Sequence, residues 1–504
     1  MEKPYLLAID QSTSSTKALV IDRSGQIIAR SAIPHQPYYP RPGWVEHDPM
    51  EIYNNVIRSA LEALASAEIA PESLAALTIT NQRETAVLWD RTTGLPVHAA
   101  IVWQCQRTAD QCAAYQRAGH EETVRAKTGL MLDPYFSAAK WGWILQHAEG
   151  VREKLAEGKL LAGTIDSWLL WKLTSGRAHA TDYTNASRTS LFNIHTLQWD
   201  EELCGLFGVP SELLPEVKSS DEIFGYTEDK ALFGECRVPI TGVIGDSQGA
   251  LFGNQCFDAG MAKATYGTGT SVLMNVGERP ISSGNGLVSA IAWGRGGKVT
   301  YAVEAVIRTT GDSLVWVRDN LGLFRTFEEM EQMLEHTPDS EGVYLVPAFV
   351  GLGAPYWDSY ARASLTGMNR GTTKAHIIRA ALESIAFQVY DAVKLMESET
   401  GVALQELRAD GGASDNANLM QFQADLLGKT VVKSEVAELS ALGSVYLGGV
   451  GIGFWPSLES VRSEQEGYVT YPSTMKPEVR EAHCSGWKKA VNSVLTRKMQ
   501  EGER

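Results

Sequence analysis

Four short segments combine carboxylates, hydroxyls and glycines in a way that suits phosphate chemistry. The first is Asp10, which closes the apolar run Tyr5–Asp10 and is followed by Gln-Ser-Thr-Ser-Ser15 and Lys17. A strand-end carboxylate beside hydroxyls and open backbone N–H groups can hold a hydrated magnesium ion and receive phosphate oxygens. The same residues also read as an Asx-type hairpin turn. The second is Gly245-Asp-Ser-Gln248 after the apolar pair Val243-Ile244, which puts Asp246 at a strand tip facing a cleft, or in another turn. The third, Thr265-Tyr-Gly-Thr-Gly-Thr-Ser271, brackets threonines with glycines. Backbone donors approach a phosphate closely where no Cβ intervenes. No GxxxxGK[ST] loop occurs anywhere in the chain, which rules out the Walker form of this device. The fourth is Asp410-Gly-Gly-Ala-Ser-Asp-Asn416 after the run Leu404–Ala409. Here a helix N-terminus could face the purine and α-phosphate side of a nucleotide.

The elements that must position these segments are legible in outline. Tyr5–Asp10, Lys17–Ile21 and Gln26–Ala32 form a strand meander around the hydroxyl-rich turn and Arg23-Ser-Gly25. Pro49–Ala67 carries Ile52, Val56, Ala60, Leu61 and Leu64 at helical spacing, and Leu74–Thr80 is a buried strand leading into Asn81-Gln-Arg-Glu84. A second meander recurs at Met261–Tyr266 and Val272–Asn275, with Leu287–Trp293 and Val299–Val303 extending the sheet. Helices follow, the clearest at Lys374–Glu397 with Ile377, Ile378, Ala381, Ile385, Val389 and Val393 on one face. Two meanders, each followed by helices, imply an internal duplication with the ligand between the copies. The expected boundary lies near residue 253, after the glycine-rich segment Gly242–Gly253, giving units 1–253 and 254–504. Without a long Pro/Ser linker, the halves are expected to pack and hinge.

A chain of 504 residues exceeds one hydrophobic core. A net charge of −15 argues against a nucleic-acid partner, because phosphate neutralisation needs clustered Lys and Arg. No run of 18 apolar residues is available to span a membrane, and the start lacks the apolar stretch of a signal peptide. Six scattered cysteines without a CxxC pair read as reduced thiols, so the expected compartment is the cytoplasm.

Taken together, these segments resemble the FGGY carbohydrate kinases, and within that family the glycerol kinases. The resemblance runs from Tyr5 to about Lys489 and includes Gly43-Trp-Val-Glu-His-Asp-Pro-Met50, Thr80–Thr85, Ile101–Cys105 and Thr181–Arg188. Tyr135–His147 and Ala363–Glu383, the latter with Gly367, His376 and Leu382 in register, fit two long family patterns. The resemblance implies an α/β fold of two duplicated actin-like (ribonuclease H-like) ATPase domains with a cleft between them. The first would bind polyol and metal and the second nucleotide. The implied reaction is ATP-dependent phosphorylation of a terminal hydroxyl of glycerol or a related small polyol, with Mg2+, in a homodimer or homotetramer. Asp246 would be the general base, and Asp10 with Asp246 would hold the metal. Thr13, Ser14 and Lys17 would face the transferring phosphate. Thr268, Gly311, Gly412 and Asn416 would bind nucleotide, and Arg83, Glu84, Trp103, Tyr135 and Asp246 would hold the polyol. An alcohol is a poor nucleophile, so a carboxylate that takes its proton contributes roughly 10²–10⁴-fold. Arg83 only donates and ionised Glu84 only accepts, a pairing that suits hydroxyls, which do both. By themselves Arg83-Glu84 would read as a surface ion pair, and Trp103 and Tyr135 as core aromatics.

The departures from the glycerol kinase pattern cluster at the substrate. Ser247 stands where a Gln usually follows the catalytic Asp, and Ser271 where a Phe is usual. Ala305–Asp312, with Arg308, replaces a small apolar segment, and Val315 replaces a Gln on the nucleotide side. The expectation is a wider, more polar pocket that leaves phosphoryl transfer intact, with a larger polyol or sugar (a tetritol, pentitol or ketopentose) as the alternative substrate. The loop Phe233–Arg237 only partly resembles a sugar-bisphosphate control loop, so that control is not expected. Survival of Asp10, Asp246 and the Gly267–Gly269 turn argues against a non-catalytic sensor, and the Arg83, Glu84, Trp103 and Tyr135 set against a chaperone or filament protein of the same fold.

Overall fold

The computed structural model describes residues 3–284, 286–436, 438–463 and 467–496. Two sheets organise the chain. The first contains β1 (Tyr5–Gln11), β2 (Ser15–Asp22), β3 (Ile27–Pro34), β4 (Leu74–Asn81), β5 (Gly225–Tyr226) and β6 (Pro239–Gly245), in the order β5-β6-β4-β1-β2-β3. The second contains β7 (Met261–Tyr266), β8 (Thr270–Gly277), β9 (Val288–Arg295), β10 (Lys298–Ile307), β11 (Glu406–Asp410), β12 (Val431–Ser434) and β13 (Tyr468–Tyr471), in the order β9-β10-β8-β7-β11-β12-β13. Each sheet is an antiparallel meander joined to two parallel strands. β4 and β6 run parallel outward from β1, and β11 and β12 run parallel outward from β7. The duplication expected from the sequence is therefore present as topology.

Parallel strands covered by helices on both faces need apolar residues throughout, and Leu6, Leu7, Ala8 and Ile9 of β1 are all fully buried. α1 (Pro49–Ser66) starts at Asp48, whose side chain accepts from the Met50 N–H at 2.8 Å, with Pro49 preset for the first turn. It buries Ile52, Val56, Ala60, Ala63 and Leu64. Leu61, expected on that face, is 42% exposed. The apolar stripe drifts around the helix because its turn holds 3.6 residues, and Ala63 takes the inward place.

The glycines of 242–253 bring backbones together. Seven further helices position the site: α2 (Ser137–His147), α3 (Asp246–Gly253), α4 (Gly311–Asp319), α5 (Phe327–Glu335), α6 (Lys374–Thr400), α7 (Ala417–Leu427) and α8 (Leu439–Gly451), and β6 runs directly into α3 at Asp246. α8 lies on β1, β4 and β6 of the first sheet and crosses α3 at close range. A Cβ on Gly443 would fall 1.9 Å from the Gly249 carbonyl oxygen, and one on Gly253 would fall 2.0 Å from that of Leu439. No other residue fits there. Asp246, the first residue of α3, is thereby fixed against an element from the far end of the chain. Among the described residues no helix is long and apolar enough to cross a membrane. All six cysteines are unpaired.

Asp166 supplies a pH signature of the fold. Burial, and after it the Asp182 carboxylate, push its carboxyl up to about 7 against hydrogen bonds from Thr164 and Thr181. The folded value exceeds the unfolded one, so between about pH 4 and 7 the native state binds the extra proton and stability falls as pH rises. Asp166→Asn should flatten that fall by about 1–3 kcal/mol, read from denaturation midpoints at pH 5 and 7.5. Asp10 and Glu383 shift in the same direction, so part of the slope should persist.

Candidate active site

Asp246 sits at the junction of the two sheets. Its Oδ1 accepts from the Ser247 N–H at 2.6 Å and lies 3.2 Å from Arg83 Nε. Arg83 follows the end of β4 and is 5% exposed, so Arg83-Glu84 is interior rather than the surface ion pair that two adjacent opposite charges suggest by themselves. Its Nη1 donates to Gln248 Oε1 at 3.2 Å and its Nη2 to Glu304 Oε1 at 3.3 Å. Arg188 closes the lattice, with Nε 2.6 Å from Glu84 Oε1 and Nη1 3.0 Å from Glu304 Oε2. Two guanidinium groups thus share three carboxylates. Burial pushes Glu304 up, but Arg83 and Arg188 together outweigh it and hold its carboxyl at about 2.

Glu84 has φ 62°, a left-handed conformation that a long side chain adopts only when held there. Ser137 at the start of α2 donates to its carbonyl at 3.0 Å, and Arg188 holds its carboxylate. Tyr135 and Trp103 form an edge-to-face pair with centroids 5.4 Å apart, and Trp103 Nε1 donates to Thr13 Oγ1 at 2.9 Å. The buried Lys140 donates to the carbonyls of Pro134, Tyr135 and Phe136, which fixes the segment carrying the Tyr135 ring.

Asp10 ends β1 opposite Lys17 of β2. Burial raises its carboxyl to about 7. Lys17 opposes that shift, while Glu438 and Asp246 add to it. Lys17 itself is committed elsewhere, with Nζ 2.6 Å from Glu438 and 4.0 Å from Asp10. Thr13 and Ser14 lie in the turn between β1 and β2, Ser14 exposed.

The glycine loop between β7 and β8 separates two cavities. One, about 430 Å³, is lined by Asp246, Ser247, Lys263, Gly267, Gly269, Ser271 and Arg308 among others. The other, about 400 Å³, is lined by Thr268, Gly311, Gly412 and Asn416, with an apolar side from Leu314, Phe327 and Met330. Gly267 belongs to both. The loop closes on itself through the Gly267 N–H, which donates to the Gly269 carbonyl at 2.9 Å. α4 is held against it by the Gly311 N–H, which donates to the Gly267 carbonyl at 3.1 Å; a Cβ on Gly311 would lie 2.5 Å from that oxygen. Asn416 caps α7 through the Leu419 N–H at 2.9 Å.

Of the residues anticipated from the sequence, Asp246, Ser247 and Ser271 line the first cavity and Thr268, Gly311, Gly412 and Asn416 the second. Arg83, Glu84, Trp103 and Tyr135 join Asp246 through the ionic lattice and the aromatic pair rather than through the cavity walls, and Asp10, Thr13, Ser14 and Lys17 lie at the β1–β2 hairpin. Residues 5–253 match the N-terminal domain of the FGGY family of carbohydrate kinases, and residues 262–452 match its C-terminal domain. The chain belongs to the FGGY family of carbohydrate kinases. It is accordingly an ATP-dependent carbohydrate kinase. A protein named glycerol kinase from Xanthomonas axonopodis pv. citri is 49% identical over 98% of this chain and 99% of its own. Another of that name, from Caldanaerobacter subterraneus subsp. tengcongensis, is 50% identical over 97% of this chain and 98% of its own. The crystal structure of Plasmodium falciparum glycerol kinase with ADP superposes with a TM-score of 0.94 at 38% identity, covering 98% of each chain.

Arg188, Glu304, Glu438 and Lys263 were not singled out from the sequence. Glu304 had a signal, since it is the one acidic residue in the apolar run Tyr301–Ile307. Arg188 ends a segment that carried the family resemblance. Glu438 and Lys263 become informative only once the fold sets them beside Asp10 and Asp246.

Proposed function

We propose that this FGGY kinase transfers the γ-phosphoryl group of ATP to a terminal hydroxyl of glycerol or a closely related small polyol. The observation that carries the reading is the lattice of Arg83, Glu84, Arg188 and Glu304, which reaches Asp246 through Arg83 and the Trp103–Tyr135 pair through Arg188, 5.8 Å from the Tyr135 ring centroid. Fixed donors and acceptors on charged groups suit a ligand whose every carbon bears a hydroxyl. Relatives named glycerol kinase favour the three-carbon acceptor. Oδ1 of Asp246 is taken by Ser247 N–H and Arg83, which leaves Oδ2 to accept the hydroxyl proton. Thr268, Gly311, Gly412 and Asn416 would hold the nucleotide, its base against Leu314, Phe327 and Met330. In this reading residues 1–253 carry the acceptor and 254–504 the nucleotide, in a cytoplasmic homodimer or homotetramer. Coupled ADP release with glycerol is the test, and no release with any polyol would sink the proposal.

A magnesium ion fits at Asp10. Asp10 is buried, the carboxylates of Glu438 and Asp246 act against its charge, and its nearby cation, Lys17, is held by Glu438, so a further cation would be favourable there. No group of three or more metal-binding side chains exists among the described residues. A magnesium ion keeps several waters and takes one or two carboxylates plus phosphate oxygens. Asp10, with Asp246, would hold it, and when bound it neutralises phosphate charge.

Longer acceptors are a second reading, favoured by the 430 Å³ cavity that Ser247 and Ser271 line. Ser271 donates its hydroxyl hydrogen to Glu304 at 3.1 Å, so its oxygen remains an acceptor. A four-carbon polyol should have kcat/KM at least comparable to glycerol, and Ser247→Gln with Ser271→Phe should shift preference toward glycerol. A wild type that favours glycerol by more than about a hundredfold, unchanged in the double variant, would end this reading.

A further inference from the structure

We propose that Arg308 is a catalytic phosphate-binding residue beside the glycine loop between β7 and β8. It receives the phosphoryl group in transit. The inference rests on the kinase reading given above.

Arg308 directly follows β10, whose last residue, Ile307, pairs with Thr270 immediately after the glycine loop. A Cβ on Gly269 would lie 3.1 Å from the Arg308 carbonyl oxygen, so its backbone lies against that loop. Arg308 lines the cavity that also contains Asp246, Gly267 and Gly269. Unlike Arg83, Arg107 and Arg188, each paired with a carboxylate, Arg308 is exposed and has no ion-pair partner among the described residues. Its hydrogen bond, Nη1 to the Val350 carbonyl, is long at 3.4 Å. An unpaired guanidinium with five donors at a glycine loop is suited to phosphate oxygens.

The charge balance points the same way. The cavity is lined by a single carboxylate, Asp246, against Arg308 and the buried Lys263. Lys263 donates to Thr265 Oγ1 at 2.8 Å. Lys17, the basic residue of the β1–β2 hairpin, is bound to Glu438 at 2.6 Å, which reduces what it can offer a phosphate. During transfer the bond from phosphorus to the ADP oxygen breaks and a bond to the acceptor oxygen forms. The acceptor's proton goes to Asp246. Arg308 hydrogen-bonds the non-bridging oxygens throughout and keeps its own protons.

The same anion chemistry could come from a carboxylate on the acceptor, so the experiment has two arms in full-length Arg308→Gln and Arg308→Lys. In the first, calorimetry compares ADP with a non-hydrolysable ATP analogue. The Gln variant should lose about tenfold or more in affinity for the analogue and little for ADP. In the second, kcat with glycerol should fall about 100-fold with KM for glycerol within about threefold, and Lys should restore part. Analogue affinity and kcat both within about threefold of wild type would overturn the proposal. So would unchanged nucleotide binding together with a raised KM confined to an acidic polyol such as glycerate. A wild type that binds nucleotide but phosphorylates no polyol would count against the proposed function, while the calorimetric comparison would still decide the role of Arg308.

Discussion

Replacing Asp246 with Asn should lower kcat by at least about 100-fold and leave nucleotide affinity within about twofold. The substitution keeps shape, and the amide oxygen can still accept from the Ser247 N–H that now reaches Oδ1 at 2.6 Å. What it removes is a group able to take a proton at neutral pH. Arg83 cannot substitute, because a guanidinium has no acceptor. Glu84 and Glu304 cannot either, since both are buried and held by Arg83 and Arg188. The nucleotide cavity does not include Asp246, so binding there should be nearly untouched. Single-turnover measurements with saturating ATP separate the two quantities. A variant that retains more than about a tenth of the wild-type kcat would remove Asp246 from the role of general base.

How the sequence conveyed this site depended on where each residue sits in its element. Asp10, Asp246 and the Gly267–Gly269 turn interrupt apolar runs at strand ends, so both their chemistry and their position could be read from the residues themselves. Arg83 and Glu84 could not. Adjacent opposite charges usually face water, and only the left-handed φ of Glu84 and the distant Arg188 turn them inward. The glycines of 242–253 were visible, but their purpose was not, because it depends on α8, some 190 residues further on, pressing against α3. Leu61 shows the limit of periodicity. Helical spacing gives a stripe, and the neighbouring β2 and β3 decide where along its width burial stops.

Glu304 illustrates the same limit with larger energetic consequences, and Glu304→Ala should be among the most damaging single changes in the protein. The carboxylate lies on β10 in the second sheet, and its ion-pair partners, Arg83 and Arg188, belong to the first half of the chain. It is therefore both a charge partner and a tie between the halves. Removing it would leave two buried guanidinium groups close together with Glu84 and Asp246 as their remaining carboxylates. Breaking one partner out of a buried ionic network costs about 3–5 kcal/mol, because the desolvated charge that remains has no compensation. For units of about 250 residues that corresponds to a fall of roughly 6–20 °C in the thermal midpoint. Function should suffer separately. Arg83 would lose the Nη2 contact at 3.3 Å, and Ser271 the acceptor of its hydroxyl at 3.1 Å. KM for the polyol should rise at least about tenfold even well below the melting temperature. Glu304→Gln discriminates between the two effects. It keeps an acceptor for Arg83 and Ser271 but removes the charge, so it should recover much of the polyol affinity and little of the stability. Equal loss of both in the two variants would mean that Glu304 serves packing alone.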